Sequence, residues 1–375
     1  MLKVGITGQS GFIGGHLYNF LNLKKDEITL IPFEEGFFEN KILLRKFVRD
    51  CDVIVHLAAL NRHNDPQVVY DTNLKLVNQL LEVLKAEGSR PHILFSSSTQ
   101  EEMDNLYGKS KRDGRILFEQ WAESNNARFT GFVIPNVFGP FGNPYYNSVV
   151  ATFCHQLTHN ERPKIVIDTT LKLIYVDELI DLLYHKIVDP VIGHETTLYN
   201  VHNTSESKVS EILAILENFK KIYFESHCFP VLNSNFELNL FNTFRSYMEH
   251  SSYYPVLLNK NVDNRGAFIE TIKTSIGGQF SFSTTVHGVT RGNHYHTRKI
   301  ERFIVIKGKA VIELRRIGTN EILHFDLNGD NPSFVDMPIW YTHNITNVGD
   351  EELITLFWIN EFFNPDDPDT CFEKV

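Results

Sequence analysis

From Lys3 to about Asn242 the chain alternates short apolar segments with longer segments of helical periodicity, and this alternation limits its fold more than any other feature. Val53 to His56 is one predicted strand, and Val68 to Glu87 is one predicted helix. Strands that alternate with helices predict a parallel sheet with helices on both faces. We therefore expect a doubly wound α/β domain over residues 1–243.

The sequence pattern changes after about Asn261. Short predicted strands, such as Arg302 to Lys307, are broken there by glycines and by an Asn-Gly-Asp turn, which is typical of an antiparallel barrel or sandwich. A chain of 375 residues is also longer than the roughly 250–300 residues at which one hydrophobic core stops growing. We expect a second, all-β domain over residues 252–375, in contact with the first because the junction is aromatic and not a Gly/Ser linker.

Composition argues against several classes of protein. A net charge of -10 argues against a nucleic-acid partner bound by a broad basic surface. No apolar run approaches the ~20 residues of a membrane helix, and the chain opens on a predicted strand and not on a secretory leader. The four cysteines lack the spacing of a metal site or a disulfide framework. We expect a cytoplasmic protein with free thiols and no membrane partner.

A glycine-rich loop joins the first predicted strand to the first predicted helix. It reads Gly8-x-x-Gly11-Phe12-Ile13-Gly14. Gly8 allows a tight turn, Gly11 lets the backbone approach a pyrophosphate, and Gly14 permits close packing of helix on strand. This Rossmann pattern predicts a bound dinucleotide. No carboxylate stands directly at the end of the second predicted strand, which favours NADPH over NADH.

Hydroxyl groups and a tyrosine–lysine pair follow along the chain. A run of three serines at 96–98 ends a predicted strand, and Tyr107 and Lys111 then lie four apart on one helical face. A nearby ammonium stabilises a phenolate and lowers the tyrosine pKa from about 10. We therefore expect Tyr107 to transfer a proton.

These segments, together with Pro135-Asn136-Val137-Phe138-Gly139-Pro140 and Ile174-Tyr175-Val176-Asp177, resemble the extended short-chain dehydrogenase/reductase family. The resemblance implies that Tyr107 is the general acid/base and that Lys111 holds the nicotinamide ribose and tunes Tyr107. It implies that Ser98 bonds to the reacting carbonyl, although Thr99 is an alternative, and that Asn136 contacts the substrate. The implied cofactor contacts are Gly8, Gly11, Phe12, Ile13, Gly14, Leu57, Ala58, Asn73, Ser96, Tyr107, Lys111 and Pro135.

Three histidines and a glutamate in the last third of the chain have the pattern of a metal site. His294 and His296 share a strand face because side chains repeat every two residues, and Glu301 and His343 can reach that face from other strands. The set suits a divalent transition metal, zinc being the simplest, with iron, nickel and manganese open. The spacing resembles the cupin family, with Trp340 in place of a motif glycine. Histidines packed in a metal-free barrel are the alternative.

A second resemblance concerns the same region. Asp263-Asn264-Arg265-Gly266 and Arg291-Gly292-Asn293-His294 resemble the substrate-binding pattern of dTDP-4-keto-6-deoxyhexose 3,5-epimerases. It implies that Arg265 and Arg291 bind the nucleotide pyrophosphate and that the histidine is the base. A metal-bound nitrogen has no lone pair for a proton, so we assign His294 to the metal. The base stays open among Lys273, Tyr341 and other residues, and we expect both of these to contact the substrate.

Over its whole length the chain resembles bifunctional enzymes of bacterial capsular-polysaccharide synthesis. The resemblance implies that the barrel epimerises C3 of a UDP-2-acetamido-2,6-dideoxy-4-hexulose. The reductase domain then reduces C4 with NADPH to UDP-2-acetamido-2,6-dideoxy-β-L-talose, on the route to UDP-N-acetyl-L-fucosamine. It also implies a homodimer through the barrel. The alternatives are a reductase whose barrel only dimerises the chain, and a sugar-binding protein with a residual dinucleotide fold.

Overall fold

The structure is a computed structural model that describes residues 1–189, 194–264, 266–274 and 277–375. The chain divides into two compact units, one formed by Met1–Thr152 and Val166–Val209 and the other by Phe153–Ile165 and Ser210–Val375. Residues 210–243, which the sequence pattern groups with the first domain, therefore make their contacts in the second unit. Within the described ranges, no helix combines the length and the apolar character needed to cross a membrane.

The first unit is built on a parallel sheet. Its strands are β1 (Leu2–Thr7), β2 (Ile28–Ile31), β3 (Val53–His56), β4 (His92–Ser98), β5 (Arg128–Ile134), β6 (Asn136–Phe138), β7 (Thr170–Tyr175), β8 (Glu195–Asn200) and β9 (Ser205–Lys208). Six of them pair in parallel in the order β2-β1-β3-β4-β5-β8, and β6, β7 and β9 form a separate small sheet. The predicted doubly wound α/β class is confirmed. The strand β2 lies on one side of β1 and β3 lies on the other. Sheets of this class bind ligands in the crevice at such a switch in strand order.

Helices connect these strands. They are α1 (Phe12–Asn22), α2 (Lys41–Asp50), α3 (Pro66–Glu87), α4 (Leu106–Asn125), α5 (Val149–Thr158) and α6 (Val176–Ile187), with 3₁₀ turns at Glu35–Glu39 and Thr99–Glu102. Local sequence sets their ends: the Asp65 carboxylate accepts from the Gln67 amide at 2.9 Å before α3, and Gly88 ends α3 in the left-handed region at φ 61°. The ends of α3 are therefore determined within a few residues of sequence.

Within the described ranges, the second unit contains the last residues of α5, from Phe153 to Thr158, three further helices and antiparallel sheets. The helices are α7 (Val209–Phe219), α8 (Asn235–Arg245) and α9 (His250–Tyr253), with a π-helical turn at Lys220–Glu225. The strands are β10 (Val256–Leu257), β11 (Lys260–Asp263), β12 (Gly266–Ile269), β13 (Gln279–Thr285), β14 (Thr290–Tyr295), β15 (Glu301–Lys307), β16 (Lys309–Arg316), β17 (Ile322–Asn328), β18 (Ser333–Met337), β19 (Tyr341–Asn347), β20 (Leu353–Ile359) and β21 (Cys371–Phe372). The expected all-β region of antiparallel strands is confirmed.

Two five-stranded sheets make up most of this β region. One has the order β10-β18-β15-β20-β13 and the other β17-β16-β19-β14-β21, while β11 and β12 pair as a separate hairpin. Inside the unit a fully buried ion pair joins Arg302 to Asp336, with an Nε to Oδ1 distance of 2.6 Å. The Tyr223 hydroxyl from the π-helical turn donates to the same carboxylate at 2.7 Å, and Arg245 of α8 donates to Tyr223. This network attaches the helical segment to the β region.

We predict that Asp336→Asn destabilises the second unit by about 3–5 kcal/mol, because the substitution leaves the buried Arg302 guanidinium without its counter-charge. Urea unfolding followed by the fluorescence of Trp340 and Trp358, both buried in this unit, measures the loss. Glu351→Gln is the matched control, since it removes an ion pair whose carboxylate is 59% exposed. The control is expected to cost less than about 1 kcal/mol. Equal losses in the two variants contradict the prediction.

Candidate functional sites

The glycine loop after β1 has the close contacts that its sequence predicts. Gly8 lies at φ 75°, and a Cβ atom on Gly14 would lie only 2.1 Å from the Gly8 carbonyl oxygen. The Gly11 amide donates to that same oxygen at 3.0 Å. No side chain caps the first turn of α1. Its backbone N–H groups are thus available to an anionic group such as a pyrophosphate.

The segment after β3 lies against this loop. The Thr7 hydroxyl contacts His56 Nδ1 at 2.8 Å, and the Ala58 amide donates to Thr7 Oγ1 at 3.3 Å. A Cβ atom on Gly8 would lie 2.8 Å from the Ala58 nitrogen, so this close approach requires glycine. Burial lowers the pKa of His56 to about 3. His56 is therefore a neutral packing residue, and the structure brings the predicted contacts Gly8 and Ala58 together.

Asn73, a predicted cofactor contact, is buried in α3, and its side-chain amide forms hydrogen bonds with other groups of the protein. Its oxygen accepts from the Leu60 amide at 2.7 Å, and its nitrogen donates to the Leu60 carbonyl at 3.0 Å and to Ser110 Oγ at 2.9 Å. Asn73 therefore holds the segment after β3 against α4. Pro135, another predicted contact, is buried directly after β5. Asn136 is exposed and donates to the Lys172 carbonyl at 3.2 Å.

Lys111, on α4, carries a buried ammonium that contacts β4. Its Nζ donates to the Ser96 carbonyl at 2.9 Å and lies 5.3 Å from the centre of the Phe95 ring and 5.9 Å from that of Tyr107. Burial lowers the pKa of Lys111 to about 8, and the Glu101 carboxylate partly opposes this shift. The structure thus brings Ser96, Tyr107 and Lys111 together, as the sequence predicts.

The sequence predicts that Lys111 lowers the pKa of Tyr107, and this prediction is wrong. Burial raises the pKa of Tyr107 to about 12, and the nearby Tyr146 adds to the shift. The Lys111 ammonium is directed at the Ser96 carbonyl. The cost of burying a phenolate therefore exceeds its stabilisation by Lys111.

Ser98 and Tyr107 belong to neighbouring elements that touch. Ser98 ends β4, is half-buried, and accepts from the Gln100 amide at 3.2 Å, while Thr99 is exposed. A Cβ atom on Gly108 would lie 1.9 Å from the Gln100 carbonyl oxygen, so only glycine lets α4 begin this close to the turn after β4. Because the Ser98 oxygen accepts a hydrogen bond, its own hydroxyl hydrogen is available to a substrate oxygen.

Glu101 and Arg115 are two residues near this site that the sequence analysis missed. The buried Glu101 carboxylate accepts from the Ser97 hydroxyl and from Arg115 Nε at 3.0 Å and Nη2 at 2.7 Å. Glu101 therefore ties the turn after β4 to α4. Its signal in the sequence is the Ser98-x-x-Glu101 spacing, which is typical of a capped helical turn. Arg115 gives no such local signal.

In the second unit, four predicted ligands converge. His294, His296, Glu301 and His343 each offer one ligand atom, and these atoms all lie within 4.8 Å of one another. His294 pairs with His343 across β14 and β19, and Glu301 comes from β15 of the other sheet. His296 Nε2 and His343 Nε2 each lie 3.2 Å from Glu301 Oε2. The cluster is therefore built by strands from both sheets.

The chemistry of this cluster fits a divalent metal. His296 Nε2, His343 Nε2 and Glu301 Oε2 are buried without a hydrogen-bond partner. The Nδ1 atoms of His296 and His343 face backbone carbonyls, which only accept, so both Nδ1 atoms carry the hydrogen and Nε2 keeps its lone pair. Burial and His343 lower the pKa of His294 to about 4. Burial alone would raise the pKa of Glu301, but the neighbouring His296 and His343 outweigh this effect and lower it.

The remaining predicted residues of this unit make other contacts. Arg291 Nε donates to Thr285 Oγ1 at 3.0 Å, and Lys273 forms an exposed ion pair of 2.7 Å with Glu270. The Tyr341 carbonyl faces His343, and burial raises the pKa of the Tyr341 hydroxyl. Arg265 lies outside the described residues.

Trp340, which stands in place of the motif glycine, is buried just before β19. It lies at φ 61°, a conformation that glycine adopts without strain. Its amide donates to the His296 carbonyl at 2.8 Å, and its ring centre lies 5.7 Å from that of Tyr295. Backbone hydrogen bonding and packing beside the histidine cluster therefore offset the cost of the left-handed conformation.

Two family models match the chain. The model described as the NAD dependent epimerase/dehydratase family matches residues 4–201, and that described as the polysaccharide biosynthesis C-terminal domain matches residues 261–371. The UDP-2-acetamido-2,6-beta-L-arabino-hexul-4-ose reductase of Pseudomonas aeruginosa is 34% identical over 372 residues, which cover 98% of each chain.

Solved structures of similar proteins agree with these sequence matches. The capsular polysaccharide assembling protein CapF from Staphylococcus aureus is 35% identical, with a TM-score of 0.62 and coverage of 100% of both chains. RMD from Pseudomonas aeruginosa, solved in complex with NADPH, is 20% identical with a TM-score of 0.56 and covers 66% of this chain and 99% of that chain. The latter likeness concerns the fold alone. The whole-length resemblance predicted from the sequence is confirmed.

We predict that burial of the Lys111 ammonium makes stability depend on pH in a defined direction. The pKa of Lys111 falls from 10.5 to about 8 on folding, so the cost of the buried charge is fully present below pH 8 and disappears as pH rises toward 10.5. The unfolding free energy of the wild type should therefore rise relative to Lys111→Met by roughly 2–3 kcal/mol between about pH 7 and about pH 10.

Denaturant unfolding of both proteins across this pH range measures the difference. Lys109→Met is the control, because Lys109 is an exposed lysine of the same helix. The difference between Lys109→Met and the wild type is expected to stay constant. A constant difference for Lys111→Met as well contradicts the assigned direction.

Proposed function

The chain belongs to the NAD dependent epimerase/dehydratase family, and from this premise we propose that it is a nucleotide-sugar enzyme with two activities. Residues 252–375, as a cupin-type barrel, epimerise C3 of a UDP-2-acetamido-2,6-dideoxy-4-hexulose. Residues 1–243 then reduce C4 with NADPH to UDP-2-acetamido-2,6-dideoxy-β-L-talose, toward UDP-N-acetyl-L-fucosamine. The observation that carries the proposal is that the Tyr107–Lys111 pair and the histidine cluster belong to two different compact units.

Similarity supports the substrate class. The Pseudomonas aeruginosa relative, which matches along 98% of both chains, is by name a reductase of a UDP-2-acetamido-2,6-hexul-4-ose. The second family model, which describes a polysaccharide biosynthesis domain, covers the β region. The name of the relative supports a sugar that carries a nucleotide and a C4 ketone, and the family model supports a role in polysaccharide biosynthesis.

Reduction needs a hydride and a proton. The glycine loop and the strand ends would hold NADPH, which would supply the hydride when bound. Because the pKa of Tyr107 is about 12, its hydroxyl is protonated at neutral pH and can donate to the oxygen that becomes an alkoxide at C4. The Ser98 hydroxyl can donate to the same oxygen. Once Tyr107 has lost its proton, the Lys111 ammonium stabilises the phenolate.

Epimerisation uses the acidity of the C3 hydrogen next to the ketone. A base removes this hydrogen, and an acid returns one to the opposite face while the enolate oxygen is stabilised. Lys273, Tyr341 and other residues stay candidates for the base, and Arg265 and Arg291 stay candidates for binding the pyrophosphate. A divalent metal, zinc in the simplest case, would supply a positive charge, and His294, His296, Glu301 and His343 would hold it.

The second candidate is a reductase whose β region only dimerises the chain. One observation favours it: the ammonium of Lys273, a candidate base, is exposed and paired with Glu270 at 2.7 Å. The two candidates differ in whether the protein exchanges the C3 hydrogen without NADPH.

We predict that the wild type incorporates solvent deuterium at C3 of the 4-ketosugar without NADPH, and that Tyr107→Phe keeps this exchange. The reductase activity of Tyr107→Phe should fall by on the order of 10²–10⁴-fold, because the variant lacks the proton donor. NMR follows the exchange, and NADPH absorbance follows the reduction, with NADH run in parallel.

Tyr70→Phe is the control, since it removes a hydroxyl that donates to Asp113 on α4 and keeps the Tyr107 hydroxyl. It should retain both activities. Loss of both activities in Tyr107→Phe contradicts the two-site proposal, and absence of exchange in the wild type selects the single-function reductase.

We also propose that the protein forms a homodimer through the β region. Among the strands within the described ranges, β11 and β12 pair only with each other, and their Val262 and Phe268 are 69% and 67% exposed. The strand β13 lies at a sheet edge and exposes Phe280 and Phe282, the latter to 70%. Exposed apolar side chains on a sheet edge and an isolated hairpin are typical of a surface that a partner covers.

We predict that Phe282→Glu shifts the protein from dimer to monomer, because the substitution places a charge in the apolar contact. Light scattering coupled to size exclusion gives the mass, against 43.3 kDa for one chain. Val166→Glu is the control, since Val166 is 84% exposed but belongs to the first unit. A Phe282→Glu protein with the wild-type mass refutes this assignment of the interface.

A further inference from the structure

Asp369, near the C-terminus, binds the backbone of the loop that joins two of the proposed metal ligands. Its carboxylate accepts from the amides of Thr297 at 2.9 Å, Arg298 at 3.1 Å and Lys299 at 3.0 Å. The Thr297 hydroxyl donates to the same carboxylate at 2.7 Å. This loop begins after His296 and ends at Glu301, so one side chain sets the conformation of the whole connection.

The backbone of Asp369 acts on the cluster directly. The Asp369 carbonyl accepts from His296 Nδ1. This bond orients the imidazole and leaves Nε2, which is buried and otherwise without a hydrogen bond, 3.2 Å from Glu301 Oε2. Carbonyl groups that bind the distal nitrogen of a ligating histidine are typical of metal sites.

The surrounding C-terminal segment is attached on both sides of Asp369. On one side Lys299 Nζ donates to the Pro368 carbonyl at 2.8 Å. On the other side β21 pairs with β14, which places Phe372 opposite His294. Asp369 itself lies at φ 39°, a left-handed conformation that asparagine tolerates well. Replacing Asp369 with asparagine therefore changes the acceptor and keeps the backbone.

We propose that Asp369 is a positioning residue for the metal site, through the loop at 297–299 and the orientation of His296. The inference rests on the proposed metal site. An asparagine side chain has one oxygen acceptor where the carboxylate has two, so at least part of the binding of the three loop amides is lost, and His296 and Glu301 are held less firmly relative to each other. The metal should then bind more weakly and with altered geometry.

The test uses the full-length protein, freed of metal and titrated with Zn²⁺ in competition with a chromophoric chelator. We expect Asp369→Asn to lower the Zn²⁺ affinity by about 10–100-fold. Thr297→Val, which removes only the hydroxyl donor, should lower it in the same direction by a smaller factor. Asp367→Asn is the matched control, because Asp367 pairs with Arg298 at 2.8 Å and is 62% exposed. It should bind Zn²⁺ as the wild type does.

A second measurement reports geometry and does not involve activity. The visible absorption of the Co²⁺-loaded protein depends on the coordination of the ion, and Asp369→Asn should change it while Asp367→Asn should not. Reductase activity of each variant, measured with the 4-ketosugar already epimerised at C3, checks that the first unit is intact. If Asp369→Asn does not fold, Thr297→Val alone decides the question through its affinity.

The outcomes separate this inference from the proposed function. A wild type that binds neither Zn²⁺ nor Co²⁺ overturns the metal site and this inference with it. A wild type that binds metal, together with Asp369→Asn or Thr297→Val that binds it equally well and with the same spectrum, overturns only the positioning role. A loss in Asp367→Asn as large as in Asp369→Asn also overturns it, because any disturbance of the loop would then suffice.

Discussion

A polar group that is buried away from water costs free energy unless a hydrogen-bond partner or a ligand compensates for the lost water, and this constraint shapes both candidate sites. In the first unit the Lys111 ammonium binds the Ser96 carbonyl, and Asn73 binds both polar groups of the Leu60 backbone. In the second unit the carbonyl of Asp369 orients His296. In each case a backbone group supplies a partner for the buried side chain.

The same constraint produces the electrostatics on which the proposed chemistry depends. Burial lowers the pKa of Lys111 to about 8 and raises that of Tyr107 to about 12. The first shift means that the charged form of Lys111 is destabilised in the folded protein, and the second keeps Tyr107 protonated at neutral pH. Placing the proton donor Tyr107 beside the buried cation of Lys111 therefore lowers the stability of the fold. The Glu101 carboxylate moderates that cost, since its charge favours the protonated form of Lys111.

Much of the fold was predictable because its signals are local. A short apolar run and a helical pattern identify β3 and α3 from their own residues, and Gly14 reports a close contact with the Gly8 carbonyl in the same loop. The Glu101–Arg115 pair and the Asp369 loop contacts were missed. Asp369 is 72 residues from Thr297, and a single sequence carries no sign of such a contact. The direction of the Tyr107 pKa failed for a related reason, because burial depends on everything packed around the ring.

The sequence by itself determined two fold classes, the dinucleotide loop, the tyrosine–lysine pair and the four metal-ligand candidates. These features depend on residue type and spacing, which backbone periodicity converts directly into shared faces. Only the tertiary structure decided that residues 210–243 pack with the β region and that burial outweighs the effect of Lys111 on the pKa of Tyr107. It also decided that Asp369 binds the loop after His296. Desolvation and long-range hydrogen bonds depend on residues that are distant in the sequence. They therefore arise only once the chain has folded.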